Sequence, residues 1–348
     1  MKHIRLALIG FGVVGRGFAR LLSAKHDLLK PRYDLDISLV GMANARHGFI
    51  YREDGLNIQT SLELVAAGQS LTAYPGSTHW EKPLAGLRAI DADILVEATP
   101  TNLRDAEPGI SHIRLALSKG MHVVTANKGP AALAATELLE LARQHSVQLR
   151  MEATVMAGTP VLSTIREGMA GARVQSIRGI LNGTTNYILS AMAAGQDYVA
   201  ALVEAQEQGY AETDPTADVE GYDAVAKTLI LSSLIFGRSL KPHEVMRQGI
   251  TAITREQVQQ ASEQGQRIKL IASLRLLSDD EGKEVSLDAR VEPIALPLSD
   301  PLARVDGVMN AISIQTDTLS EVTIIGPGAG GTQTGQGLLA DVIACARA

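Results

Sequence analysis

Residues 4–15 read IRLALIGFGVVG, and this stretch decides the fold. Residues 4–9 form a short, mainly apolar run of strand length. Gly10-Phe11-Gly12-Val13-Val14-Gly15 follows at once, and RGFARLLSAKHDLL after it carries helical periodicity. Strand, GxGxxG and helix, in that order, are the dinucleotide-binding fingerprint in its required context. The glycines permit a tight turn, close backbone approach to a pyrophosphate and close helix packing. The helix N-terminus adds partial positive charge. Residues 10–15 are therefore candidates for cofactor binding.

Outward from this motif the alternation of strand and helix continues. DISLVGMA predicts a second strand ending near Ala43, where a typical NAD site has an acidic residue for the ribose hydroxyls. Asn44-Ala45-Arg46 stands there instead. Arg46 suits a 2′-phosphate, favouring NADP with NAD tolerated; a solvated loop residue is the alternative. ADILVEATPT and MHVVTANKGP predict two more strands, which place Thr99 and Lys128 in loops at strand ends, where open α/β sheets bind ligands. A helix (TELLELARQH) and the strand SVQLRMEA complete a Rossmann-type parallel sheet over residues 1–150. Near the C-terminus the glycine-rich run 326–331 precedes a last helix. This second strand-glycine-helix unit predicts that residues 325–348 return to the nucleotide domain, with Gly330 beside the cofactor or simply in a packing crossover. Residues 151–324 read as an α+β substrate and dimerisation domain, in which EVSLDARVEPI alternates like a strand with one exposed face. Such a sheet invites pairing with a second subunit, so a homodimer is expected.

Composition narrows the class. The chain has 348 residues, 45% hydrophobic and 20% charged, enough for a sizeable core, and only 3% aromatic. An Ala, Val, Leu and Ile core suits a helix-covered parallel sheet. A net charge of −6 argues against nucleic acid or an anionic membrane as partner. The single cysteine, Cys345, allows no internal disulfide and no cysteine metal cluster. The apolar stretch at the N-terminus is too short for a signal peptide or membrane span, so a cytoplasmic protein is expected.

The chemistry concentrates in residues 209–227, GYAETDPTADVEGYDAVAK. Five carboxylates (Glu212, Asp214, Asp218, Glu220, Asp223) accompany one cation, Lys227. Asp214-Pro215 reads as a cap and first-turn proline, with helix continuing from Asp218 to a stop at Gly237. Asp223 and Lys227 then share one helix face. Gly221 inside the first turn suggests close approach of another group. An exposed i,i+4 ion pair on a solvated acidic turn is the alternative. Asn182-Gly183-Thr184-Thr185-Asn186 is a polar turn before an apolar helix, suited to a small zwitterion or to simple capping.

The 209–227 segment resembles the signature of homoserine dehydrogenases, in which alanine, an acidic or glycine turn, proline, then Asp, Gly, Asp and Lys recur at this spacing. TANKGP and NGTTNY resemble the same family's cofactor-side and substrate-side loops, and the similarity runs over essentially the whole chain. It implies reversible hydride transfer between L-homoserine and NAD(P)+, giving L-aspartate 4-semialdehyde. It further implies that Glu212 binds the substrate ammonium beside Asp218 and the 182–185 loop. Asp223 and Lys227 would flank the reacting oxygen, with Lys128 supporting the alkoxide. A sodium or potassium ion would be held by the Glu152 side chain and carbonyls around Val155, Ala157 and Thr159. The chain stops at 348 without the ACT-type regulatory domain of many relatives, so threonine feedback through such a domain is not expected. A neighbouring Asp favours a charged lysine, which ordinarily titrates near ~10.4, so Lys227 is expected to donate a proton to the aldehyde. A dehydrogenase of another hydroxy-amino acid and a silent NADP sensor are the competing readings; a thioester-forming semialdehyde dehydrogenase is excluded, because Cys345 lies in the final helix.

Overall fold

A computed structural model describes residues 1–44, 48–278 and 284–347. It divides into two compact units, Met1–Pro160 with Ala329–Ala348, and Val161–Gly328.

The first unit is built on seven strands: β1 (Lys2–Ile9), β2 (Leu35–Asn44), β3 (Gly48–Tyr51), β4 (Thr78–Trp80), β5 (Ile94–Glu97), β6 (His122–Thr125) and β7 (Leu149–Arg150). Their order is β4-β3-β2-β1-β5-β6-β7. The run β2-β1-β5-β6-β7 is parallel, and β3 and β4 add antiparallel at one edge. Leu6, Leu8, Ile94, Val96 and Val124 are wholly buried, as strands covered by helices on both faces require. The strand expected over SVQLRMEA is short. Beyond Arg150 the Glu152 N–H turns from the ladder to the Asp341 carboxylate at 2.8 Å, and a 3₁₀ turn, Glu152–Thr154, begins. The last helix, Gly331–Ala346, packs on the first, Val13–Ala24, at glycines. A Cβ on Gly17 would lie 2.2 Å from the Gly331 carbonyl oxygen, and one on Gly335 would lie 2.6 Å from the Phe18 nitrogen.

The second unit carries a sheet of β8 (Val174–Ile180), β9 (Met246–Arg247), β10 (Gln266–Ser278), β11 (Glu284–Pro297), β12 (Met309–Thr316) and β13 (Glu321–Pro327). The order is β13-β12-β8-β10-β11-β9, antiparallel except for the short β9. Helix Tyr222–Phe236 packs on β10 and β11 and is buried from Ala224 through Ser233. Residues Thr164–Gly168 form a single π-helical turn.

One element departs from the sequence reading in a way that shapes the site. The helix expected to run unbroken from Asp218 is two, Thr216–Val219 and Tyr222–Phe236. Gly221 joins them at φ 80, in the left-handed region that only glycine enters cheaply. Its N–H donates to the Asp218 carbonyl at 2.8 Å, and its own carbonyl accepts from Val225 at 3.0 Å. Gly221 is thus a joint between two helices rather than a first-turn residue. Gly237 ends the second helix at φ 62, as expected, with Arg238 N–H returning to the Ser232 carbonyl.

Candidate active site

The second unit gathers four of the sequence-named residues into one cluster. Asn182 is the N-cap of helix Gly183–Ala193, and its Oδ1 accepts from the Thr185 N–H at 2.9 Å. The cap fixes the amide plane, so Nδ2 points away from the helix. It donates to Asp218 Oδ1 at 2.7 Å and to Asp223 Oδ2 at 3.1 Å. The same Asp223 oxygen lies 2.9 Å from Lys227 Nζ, one helical turn on, and Nζ also donates to the Leu181 carbonyl at 2.5 Å. The lysine side chain is 7% exposed and its aspartate partner 13%, which removes the solvated surface-pair reading. Around this cluster the Thr185 hydroxyl donates to Asn182 Oδ1, and the Thr184 hydroxyl donates to the Tyr210 carbonyl.

Burial pushes the Asp218 carboxyl above its ordinary range, aided by the nearby Asp223 carboxylate and opposed by the Asn182 hydrogen bond. The sign follows directly. A folded-state pKa above the unfolded one means that ionising Asp218 weakens the fold, a loss that grows as pH rises from ~4 through the raised value. Asp218→Asn is expected to gain stability on the wild type between pH 4 and pH 7. Urea midpoints at the two pH values check this; identical pH dependence in both proteins would contradict it.

The other acids of the segment are placed elsewhere. Glu212 is exposed, and the hydrogen bond to its residue reaches the backbone, from Gln206 to the carbonyl at 3.1 Å. Asp214 Oδ1 accepts the Thr216 N–H at 3.1 Å from one residue before the N-cap, which is Pro215 rather than the expected Asp214. Glu220 accepts from Thr251 Oγ1 at 2.8 Å and pairs with Arg247 at 3.6 Å, while the Arg247 guanidinium stacks 4.0 Å over the Tyr222 ring. Lys227 is therefore not the segment's sole cationic partner. Arg247 arrives from β9, far along the chain.

The first unit holds the fingerprint. Gly10 has φ 105, and a Cβ there would lie 2.3 Å from the Ala98 backbone, so only glycine fits where β1 leaves the sheet. A Cβ on Gly15 would lie 1.9 Å from the Gly10 carbonyl oxygen, which presses the helix onto its own turn. Gly12, the N-cap of helix Val13–Ala24, has open space around it. Phe11 is buried behind the turn, Val14 is partly buried and Val13 is 69% exposed at its mouth. Gly330, at φ 116, precedes helix Gly331–Ala346; a Cβ on Gly331 would lie 2.9 Å from Val13 Cγ1. The two glycine turns thus meet at one helix start. Arg46 lies outside the described residues. Thr99 follows β5, and Lys128 opens helix Lys128–Leu133 after β6. Asn127, which the sequence reading passed over, links them: its Nδ2 donates to Thr99 Oγ1 at 3.0 Å and its Oδ1 caps Gly129 at 3.0 Å. The signal was available, since Asn is a favoured residue at the position directly before a helix, here the one opened by Lys128.

Glu152, Val155, Ala157 and Thr159 are all buried in one turn against helix Gly331–Ala346, with Ala157 in the left-handed region at φ 50. A Cβ on Gly337 of that helix would lie 2.5 Å from the Ala157 carbonyl oxygen. Among the described residues no group of three or more His, Cys, Asp or Glu could hold a metal, so any cation here would rest on one carboxylate and carbonyls.

Comparison with known proteins bears on both units. Residues 10–152 match the family model described as homoserine dehydrogenase, NAD binding domain, and residues 160–343 match that described as homoserine dehydrogenase. A protein of Pseudomonas canavaninivorans named NAD(+)-dependent homoserine dehydrogenase is 38% identical over 99% of this chain and 96% of its own. A homoserine dehydrogenase of Methanocaldococcus jannaschii is 39% identical, over 97% of each. Among solved structures, a putative homoserine dehydrogenase of Archaeoglobus fulgidus superposes with TM-score 0.86 at 35% identity, over 98% of each chain. A hyperthermophilic archaeal homoserine dehydrogenase in complex with NADPH gives TM-score 0.83 at 28% identity, over 99% of this chain and 98% of that one.

Proposed function

We propose that this chain, which belongs to the homoserine dehydrogenase family of NAD(P)-dependent oxidoreductases, reversibly reduces L-aspartate 4-semialdehyde to L-homoserine in the supply of threonine, methionine and isoleucine. The observation that carries the reading is the buried Lys227–Asp223 pair at 2.9 Å, tied by Asn182 to Asp218. The nicotinamide cofactor, when bound, supplies or takes the hydride. Lys227 delivers the proton to the aldehyde oxygen as negative charge develops there. Asp223 holds the ammonium charged and oriented, and Asn182 holds Asp223. The exposed Glu212 receives the substrate ammonium. The Gly183 and Thr184 amides, which by position lack intrahelical acceptors, suit its carboxylate. Lys128 lends a second positive charge to the alkoxide.

The cofactor is NADPH or NADH. Arg46 favours the former, and relatives are named with each. The 152–159 turn holds sodium or potassium, supported by an all-oxygen donor set of the kind hard cations take. The chain works as a homodimer in the cytoplasm; β13 is a sheet edge with Ile325 53% exposed, and no described helix is long and apolar enough to cross a membrane. The test is oxidation of NADPH and of NADH with aspartate semialdehyde, set against other amino-acid aldehydes. Preferred turnover of the semialdehyde is the expected result. Tight dinucleotide binding without turnover of that substrate would overturn the reading.

A further inference from the structure

Glu97 closes β5 with a carboxylate that is wholly buried, an expensive place for a charge unless its neighbours require it. Those neighbours are donors from two loops. The Thr99 N–H donates to Oε1 at 3.1 Å, and the Thr99 hydroxyl donates to the same oxygen. The Thr125 hydroxyl, at the end of β6, is shared between Oε2 at 3.3 Å and the Glu97 carbonyl at 3.0 Å. Thr125 Oγ1 in turn accepts the Asn127 N–H at 3.0 Å, while Asn127 Nδ2 donates to Thr99 Oγ1. The circuit is closed: two strand ends and the loops beyond them are registered on one carboxylate. His112 Nδ1 lies 3.7 Å from Oε1, beyond hydrogen-bond reach, and has no hydrogen-bond partner among the described residues. Gly109 keeps its helix clear of the circuit, since a Cβ there would lie 2.5 Å from Asn127 Nδ2.

We propose that Glu97 is a positioning residue for the dinucleotide: it fixes the loops bearing Thr99 and Lys128 in one frame, and does so as a hydrogen-bond acceptor. The inference rests on the reading that these loops face the cofactor. It also alters the part of Thr99. A hydroxyl has one proton, and here both that proton and the Thr99 N–H go to Glu97, so Thr99 meets the cofactor as an acceptor, through its carbonyl or its hydroxyl oxygen. The circuit predicts which substitutions it tolerates. In Glu97→Gln the amide oxygen still accepts from Thr99, and the new NH2 donates to Thr125 Oγ1, whose proton goes to the residue 97 carbonyl. Glu97→Leu and Thr99→Val leave buried donors unpaired.

The experiment is direct titration of NADPH and NADH by fluorescence, with folded protein confirmed by circular dichroism, followed by Michaelis constants for cofactor and semialdehyde. Glu97→Gln is expected within ~3-fold of the wild-type dissociation constant, and Glu97→Leu and Thr99→Val weaker by roughly 10-fold or more. In Glu97→Leu and Thr99→Val the Michaelis constant for the cofactor should rise with the dissociation constant, and kcat should fall as the Lys128 loop shifts. Glu97→Gln should keep both, a pattern of rescue by a retained acceptor that general loosening of the fold would not give. If Glu97→Leu fails to fold, Thr99→Val carries the test, with Thr99→Ser as its rescue. Variants that bind as tightly as the wild type overturn the inference, and so does Glu97→Gln binding as poorly as Glu97→Leu. A wild type that binds the dinucleotide but does not turn over the semialdehyde sinks the substrate reading alone.

Discussion

Replacing Lys227 with methionine is expected to lower kcat/KM for the semialdehyde by ~100-fold or more, with the loss mainly in kcat. Methionine keeps most of the volume, so the buried helix face is not emptied. The ammonium that bridges Asp223 and the Leu181 carbonyl is gone. Stability should fall too, by about 2–3 kcal/mol, because Asp223 is left as a nearly buried charge held by the Asn182 amide. That fall confuses the reading of activity unless it is separated. The double variant Asp223→Asn/Lys227→Met removes the stranded charge and should regain about 1–2 kcal/mol, yet no turnover. Chemical denaturation and steady-state kinetics on the three proteins check both halves. Turnover that returned with stability would mean that Lys227 acts by packing, and the proton-transfer role would fall.

How far the sequence led depends on how local each feature is. Strand and GxGxxG follow one another within the twelve residues 4–15, and the helix runs on from there to Ala24. Gly15 meets a demand set by its own turn and Gly10 one set by its positive φ as well as by the distant Ala98 backbone, and the nucleotide unit could be read from that stretch alone. Asp223 and Lys227 were legible for the same reason, since one helical turn brings them together whatever surrounds them. Features made by distant segments were not. Glu220 read as part of an acidic site until Arg247, on another strand, drew it into a surface anchor. Gly221 read as a residue inside a helix, because apolar periodicity continues across it; only its φ shows that it breaks the helix in two. Asn182 read as a loop residue that could cap or bind. Its two carboxylate partners lie 36 and 41 residues further on, a separation that no local pattern encodes. Glu212 was given the substrate ammonium through family likeness, and the structure leaves its side chain exposed.

Asn182→Asp tests the junction on which those carboxylates depend. The variant keeps an oxygen for the Thr185 N–H, so the helix remains capped. It replaces the Nδ2 donor with a second acceptor, facing Asp218 Oδ1 at 2.7 Å and Asp223 Oδ2 at 3.1 Å. Two hydrogen bonds to charged groups are lost, each worth ~1.5–3 kcal/mol, and three carboxylates are left sharing one small volume. A loss of about 3 kcal/mol at pH 7 is expected, with kcat/KM down ~100-fold or more as Asp223 swings away from Lys227. Crowded carboxylates raise one another's pKa, so protonation should relieve the strain. The deficit against wild type should shrink as the pH falls from 7 towards ~5, where a shared proton restores a donor between the oxygens. Asn182→Ala separates this from the cap. It loses the Thr185 bond and both carboxylate bonds but adds no charge, so repulsion should not shape its deficit. Denaturant midpoints at pH 5 and pH 7 for both variants decide the matter. A deficit in Asn182→Asp that did not move with pH would place the importance of Asn182 in the helix cap, and the carboxylate anchoring would have to come from elsewhere in the second unit.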